Sequence, residues 1–280
     1  MPAPQASMMK QLARTKFSSF NLKVPTNWKD PDDKGQYSDA LKGTNATAGT
    51  PDTVMPPLFT PIQTNKHHCD IQKMHNAKFG AFIDKTCDAI CSAWSTWQTA
   101  ASMVGFVVTG PLANGGQLIG PPWTPLILAQ GAVSSPMEMK YTQVIATVLG
   151  TAWLSYTASI KAIAVPWWTA AMFATFPSPV VPPTPNTPTP ITALFSLPVS
   201  LQVPLLKMQM VGQLADPMAP FHAQLFESIA TAFNQCWTTW TTSTMVSNVL
   251  GFGAVPTCIP PIMPPGPVVG SAAMAPGGLT

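Results

Sequence analysis

The sequence predicts a mainly α fold: a helical bundle of long amphipathic helices, with a pseudo-duplicated unit of helix plus Pro-rich exit, and extended N- and C-terminal arms. Three observations predict it. Proline is missing from three long stretches in which apolar residues recur at three- and four-residue steps. One aromatic pattern appears in each of those stretches. The 32 prolines of the 280 residues crowd the segments around them, where neither helix nor sheet interior tolerates them.

Taken in order, residues 1–66 are rich in Pro, Lys, Asp, Thr and Asn without apolar periodicity, so they are expected to be an extended N-terminal arm with turns such as Asp30-Pro31-Asp32-Asp33. Residues 67–176 form a first helical unit. From Asp70 onward Ile71, Met74, Phe79, Phe82, Ile83, Ile90, Trp94 and Trp97 share one helical face, and no proline intervenes before Pro111. The glycines at 110, 115, 116 and 120 read as a turn. A second helix is expected over Tyr141–Val165, apolar nearly all round and stopped by Pro166.

Residues 177–212 read as a Pro-rich linker and extended strip: 177–190 in stiff polyproline geometry, then alternating Leu197, Val199, Leu201 and Val203 suited to a short edge strand. The second helical unit spans residues 213–253. After Pro220 it places Phe221, Leu225, Ile229, Phe233, Trp237, Trp240 and Thr244 on one face, with Asp216 near the positive end of the helix dipole. Residues 254–280 carry enough proline to be an apolar, extended C-terminal tail.

The aromatic pattern pairs Trp94 with Trp97, Trp153 with Tyr156, and Trp237 with Trp240, each at i and i+3 beside hydroxyl residues and so on one helical face. Between the first and third copies a constant offset also matches Ile90 to Phe233, Asp84 to Glu227, Gly110 to Gly253 and Pro121-Pro122 to Pro264-Pro265. These six aromatic residues are the candidate packing or interface positions. Each buries roughly 150–250 Å² when helix packs on helix.

Charge narrows the function. Asp, Glu, Lys and Arg make up 9% of the chain, against about 25% in an ordinary soluble domain. Eleven of 14 basic and eight of 11 acidic residues precede residue 89, and beyond it only Glu138, Lys140, Lys161, Lys207, Asp216 and Glu227 remain. A free surface normally needs roughly a quarter of its positions charged, so residues 89–280 are expected to face protein or lipid. The hydroxyl and amide residues within the helices favour protein, while a membrane-inserting protein or delivered pore former is the alternative. A net charge of +3 with interleaved acids argues against nucleic acid.

Catalytic motifs are missing: there is no G-x-S-x-G, phosphate loop or dinucleotide fingerprint, and few acids. His67, His68, Cys69, His75, Cys87 and Cys91 alone have metal-ligand character, but without the paired spacing of a metal site. No cofactor, metal or enzymatic activity is therefore expected. The first twenty residues contain no apolar run of the secretory kind, and the five cysteines are irregularly spaced.

Val255-Pro256-Thr257, Pro260-Pro261, Pro264-Pro265 and Gly266-Pro267-Val268-Val269-Gly270-Ser271, following Trp237-Thr238-Thr239-Trp240, resemble small structural proteins of contractile phage tails and related contractile injection systems. The resemblance covers the C-terminal region only. It implies a virion or particle component, assembled in the host cytoplasm and placed in the baseplate or tail hub, with other structural subunits and further copies of itself as partners and no catalytic residues.

Overall fold

The computed structural model describes residues 3–20, 61–109, 112–168, 185–216, 221–252 and 269–280. The chain divides into two compact units, one of Met1–Ser19 with Ile83–Thr280 and the other of Phe20–Phe82. The expected arm over residues 21–60, the polyproline run up to residue 184 and the tail over 254–268 lie outside the described residues. So do the side chains of Ile71, His67, His68, Cys69 and His75.

The first unit begins with helix α1 (Ala6–Ser19), where an extended arm was expected. Helix α2 (Pro61–Ala100) crosses from the second unit into the first. It leads into the hairpin β1 (Ser102–Thr109) and β2 (Leu112–Ile119), and helix α3 (Trp123–Gln130) follows. Helix α4 (Pro136–Ser159) starts from a capping box, with the Ser135 hydroxyl accepting from Glu138 N–H at 3.2 Å and the Glu138 carboxylate accepting from Ser134 N–H at 2.9 Å. Next come β3 (Ala162–Pro166) and β4 (Thr189–Pro190), and two 3₁₀ turns. Helices α5 (Val203–Leu214) and α6 (His222–Ser243) and strands β5 (Met245–Val246), β6 (Val249–Phe252) and β7 (Val269–Met274) complete the chain.

The expectation of a helical bundle with Pro-rich exits is overturned by a five-stranded antiparallel sheet in the order β3-β2-β1-β7-β6, with β4 and β5 forming a second, two-stranded sheet. Each long helix exits into a strand. Of the glycines read as a turn, Gly115 and Gly116 lie in β2 and Gly120 beside it, while Gly110 lies outside the described residues; Lys161–Val165, expected as the end of a helix, pairs as bridge and strand. Ile160 N–H closes on Thr157 O at 3.2 Å, and Lys161 exchanges backbone bonds with Phe195 at 2.9 Å, so β pairing ends this helix before Pro166 can. The strip expected over 191–212 instead contains α5, whose Pro204 sits in the first turn, where a missing N–H costs nothing.

Part of the C-terminal tail is also corrected: β7 lies between β1 and β6 rather than along a groove. Proline is missing between Pro267 and Pro276, so this stretch keeps the ladder donors that its neighbours lack.

The aromatic repeat extends into backbone geometry, and it has three copies. Helices α2, α4 and α6 end at Ala100, Ser159 and Ser243, and the equivalent positions 59 and 143 residues along hold beyond the helix ends. Gly105, Ala164 and Asn248 occupy one position in the three copies, and all three have left-handed backbone, at φ +81°, +51° and +56°. Ala101, Ile160 and Thr244 before it, and Phe106, Val165 and Val249 after it, are buried. Such a residue breaks the alternation of a strand, and the β1 ladder shifts register between Met103 and Phe106.

The inner face of the large sheet buries Met103, Phe106, Val108, Ala113, Leu118, Val165, Ala272 and Met274. Its outer face leaves Val104, Val107 and Ile163 exposed.

Candidate functional site

The repeat brings α2, α4 and α6 together through the same positions. Trp94 lies 4.9 Å from Trp153 and 5.6 Å from Trp240 between ring centroids. Trp97 meets Trp153 edge-on at 4.8 Å, and Tyr156 meets Trp237 at 5.4 Å with the rings perpendicular. Trp153 and Trp240 are 5.7 Å apart. All six sequence-selected aromatics therefore converge within one chain, five of them buried and Trp237 half-buried. Edge-to-face and tilted contacts at these distances contribute about 0.5–1.5 kcal/mol per pair beyond burial.

One member was missed. Trp123, at the start of α3, stacks on Trp153 at 4.2 Å. The repeat does not contain it, and its one signal is the preceding Pro121-Pro122, which opens a helix. Gln98 bridges copies with polar bonds: its carbonyl accepts from the Trp240 indole N–H at 3.0 Å, and its amide donates to Leu279 O at 3.2 Å. The indole N–H groups of Trp94, Trp123 and Trp153 are buried without a hydrogen-bond acceptor among the described residues.

Beside this junction a cleft of about 250 Å³ opens between Gly120-Pro121-Pro122 and α4, floored by Trp97, Trp123 and Trp153. Its polar lining consists of Gln117, Thr124, Thr151 and Thr157, with no acid, base, histidine or cysteine. Its mostly apolar lining suits an apolar group.

Cys87, Cys91 and Cys236 are free and buried. Burial holds Cys87 in its thiol form, pushes the Cys91 thiol up to about 12 and pushes Cys236 up to about 11. They are thiols rather than thiolates at neutral pH, the weakly nucleophilic form. Among the described residues no group of three or more His, Cys, Asp or Glu side chains converges as a metal site. Burial likewise raises Tyr156 to about 12, so it stays a neutral phenol within the junction.

A second surface is built at the C-terminal half of α4. The Ser200 hydroxyl donates to Ala152 O at 3.0 Å, and the Ser159 hydroxyl accepts from Leu197 N–H at 2.9 Å, so residues 195–200 run along the helix. Phe195, Leu197 and Val199 alternate outward at 46%, 55% and 63% exposure, and Leu154 and Ile163 on the flanking elements are 67% and 65% exposed. Sequence reasoning marked the alternation of Leu197 and Val199 but not the face they share with α4.

The chain matches no protein-family model, no curated protein and no solved structure. Among the described residues no helix is long and apolar enough to cross a membrane.

Proposed function

We propose that this chain is a non-enzymatic structural or adaptor subunit of a large protein assembly, a virion or contractile-tail component of the baseplate or hub region. Its partners are further copies of itself and other structural subunits. The observation that carries this reading is the apolar strip of Phe195, Leu197 and Val199, left exposed on the surface. Of the six charged residues beyond residue 88, five have internal partners: Glu138 caps α4, Lys140 pairs with Asp216 at 3.8 Å, and Lys207 pairs with Glu227 at 2.6 Å. Apolar area left in water costs roughly 25 cal/mol per Å², and a contiguous patch of it marks an interaction site. The ion-free lining of the cleft supports a packing role over a catalytic one.

The test is the state of the chain expressed alone, by size-exclusion chromatography and by flotation with liposomes. Discrete oligomers or aggregates that do not float are expected, and replacing Leu197 and Val199 with Glu should shift them toward monomer. Flotation with retained helical circular dichroism would overturn the assembly reading in favour of a membrane-inserting protein.

A further inference from the structure

Helix α1 is joined to the rest of its own unit by charge. It contains Lys10, Arg14 and Lys16 and no acid. Lys10 Nζ lies 2.7 Å from Asp88 Oδ1, Arg14 Nε donates to Asp84 Oδ1 at 2.6 Å with a second bond from its other nitrogen to Oδ2, and Lys16 Nζ lies 3.0 Å from Glu227 Oε1. Asp84 and Glu227 are equivalent positions of the repeat, so the groove between α2 and α6 presents acids from two copies to one basic helix. Met9 and Ala13 are fully buried, and Met9 Sδ sits 3.7 Å from Cys91 Sγ.

The fit is not closed at the start of the helix. A cavity of about 130 Å³ remains there among Pro4, Gln5, Met8, Cys236, Thr239 and Trp240. Nor does local chain connection impose the docking, since the whole of Phe20–Phe82, a separate compact unit, intervenes between Ser19 and Ile83. A 14-residue helix is marginal by itself and depends on the groove for its stability, and the same groove on a neighbouring copy offers it the same contacts when copies are close.

We propose that α1 is an exchangeable arm: in the assembly, residues 6–19 of one copy occupy the α2–α6 groove of a second copy of this chain. The inference rests on the assembly reading above and names the contact that links one copy to the next. The exchanged helix keeps the same three ion pairs and the same Met9 contact, so exchange costs no native interaction.

Complementary charge reversal tests it on the full chain. One variant carries Lys10→Glu with Arg14→Glu, and the other carries Asp84→Lys with Asp88→Lys. Docking is read from the alkylation rate of Cys91, located by peptide mapping, and linkage is read by size exclusion. Each variant alone should alkylate about tenfold faster than wild type, because repulsion replaces two attractive pairs. A one-to-one mixture should regain protection of Cys91 and the wild-type elution volume, since each arm then meets a groove of opposite charge on the other chain.

The proposal is overturned if the mixture stays as reactive as its components while a single chain carrying all four substitutions is protected. That pattern means the arm folds back on its own chain. It is equally overturned if neither variant changes the rate, because charge then does not govern docking. Should the variants not fold, a labelled peptide of residues 3–20 added to wild type at low salt replaces them, with binding expected and no binding counting against exchange. Wild type that remains oligomeric while the mixture fails leaves the assembly reading standing and removes only the arm. A wild type that is monomeric, or that floats with liposomes, removes the assembly reading itself.

Discussion

Two helix contacts in this molecule are held by opposite physics. Where α2, α4 and α6 meet, Trp94, Trp97, Trp153, Tyr156 and Trp240 interlock without a charged group, and ring packing with the neutral Gln98–Trp240 hydrogen bond orients the helices. Where α1 meets α2 and α6, two buried side chains are ringed by three ion pairs, and several of the paired side chains are about a third to a half exposed. Dispersion contacts are short-ranged and indifferent to salt, whereas partly exposed ion pairs weaken as ions screen them. The first contact therefore belongs to the permanent core. The second can be undone under mild conditions without disturbing the first.

The largest expected effect is in the junction. Trp153→Ala should lower stability by about 3–5 kcal/mol in denaturant titration, and the loss should be the same in low and high salt. A loss below about 1 kcal/mol would show the junction to be loosely packed and break the contrast. Next is Gly116→Ala, where a Cβ would lie 2.0 Å from the Phe106 ring on a backbone at φ +82°. About 2 kcal/mol should be lost, again independent of salt.

Smaller and of the other kind is the response of α1. Hydrogen exchange of residues 6–19 should speed up in about 1 M salt, while that of α4 does not change. Acid should do the same. Lys207, and less strongly Lys16, hold the Glu227 carboxyl below the usual carboxylate range, so its contribution is present above that range and is lost as pH falls through the lowered value. Matching exchange rates for α1 and α4 at every pH would erase the distinction between the two contacts. The smallest effect concerns the repeat: Ala164→Gly should raise stability by up to about 1 kcal/mol, since it relieves a left-handed backbone that Gly105 adopts freely in the first copy.

The helical stretches and their shared aromatic face were legible because burial on one side of a helix imposes a 3.6-residue period on the sequence, and Trp94, Trp153 and Trp240 report it directly. The strands were not. Gly105 in β1, Ala164 in β3 and Asn248 just before β6 have left-handed backbone, which breaks the two-residue alternation that announces a strand, and β2 is weakened further by Gly115 and Gly116. The docking of α1 left no periodic mark either, because ion pairs such as Arg14 with Asp84 join residues 70 positions apart.

By itself, then, the sequence determined three of the helical stretches and the aromatic face that they bury. These are local or compositional properties, written in period and residue type. Only the tertiary structure decided that α2 and α4 exit into one sheet while α6 exits into another, that β7 closes between β1 and β6, and that the basic N-terminal segment is a helix seated among acids. Backbone pairing and ion pairing depend on which distant groups meet, and no local pattern records that.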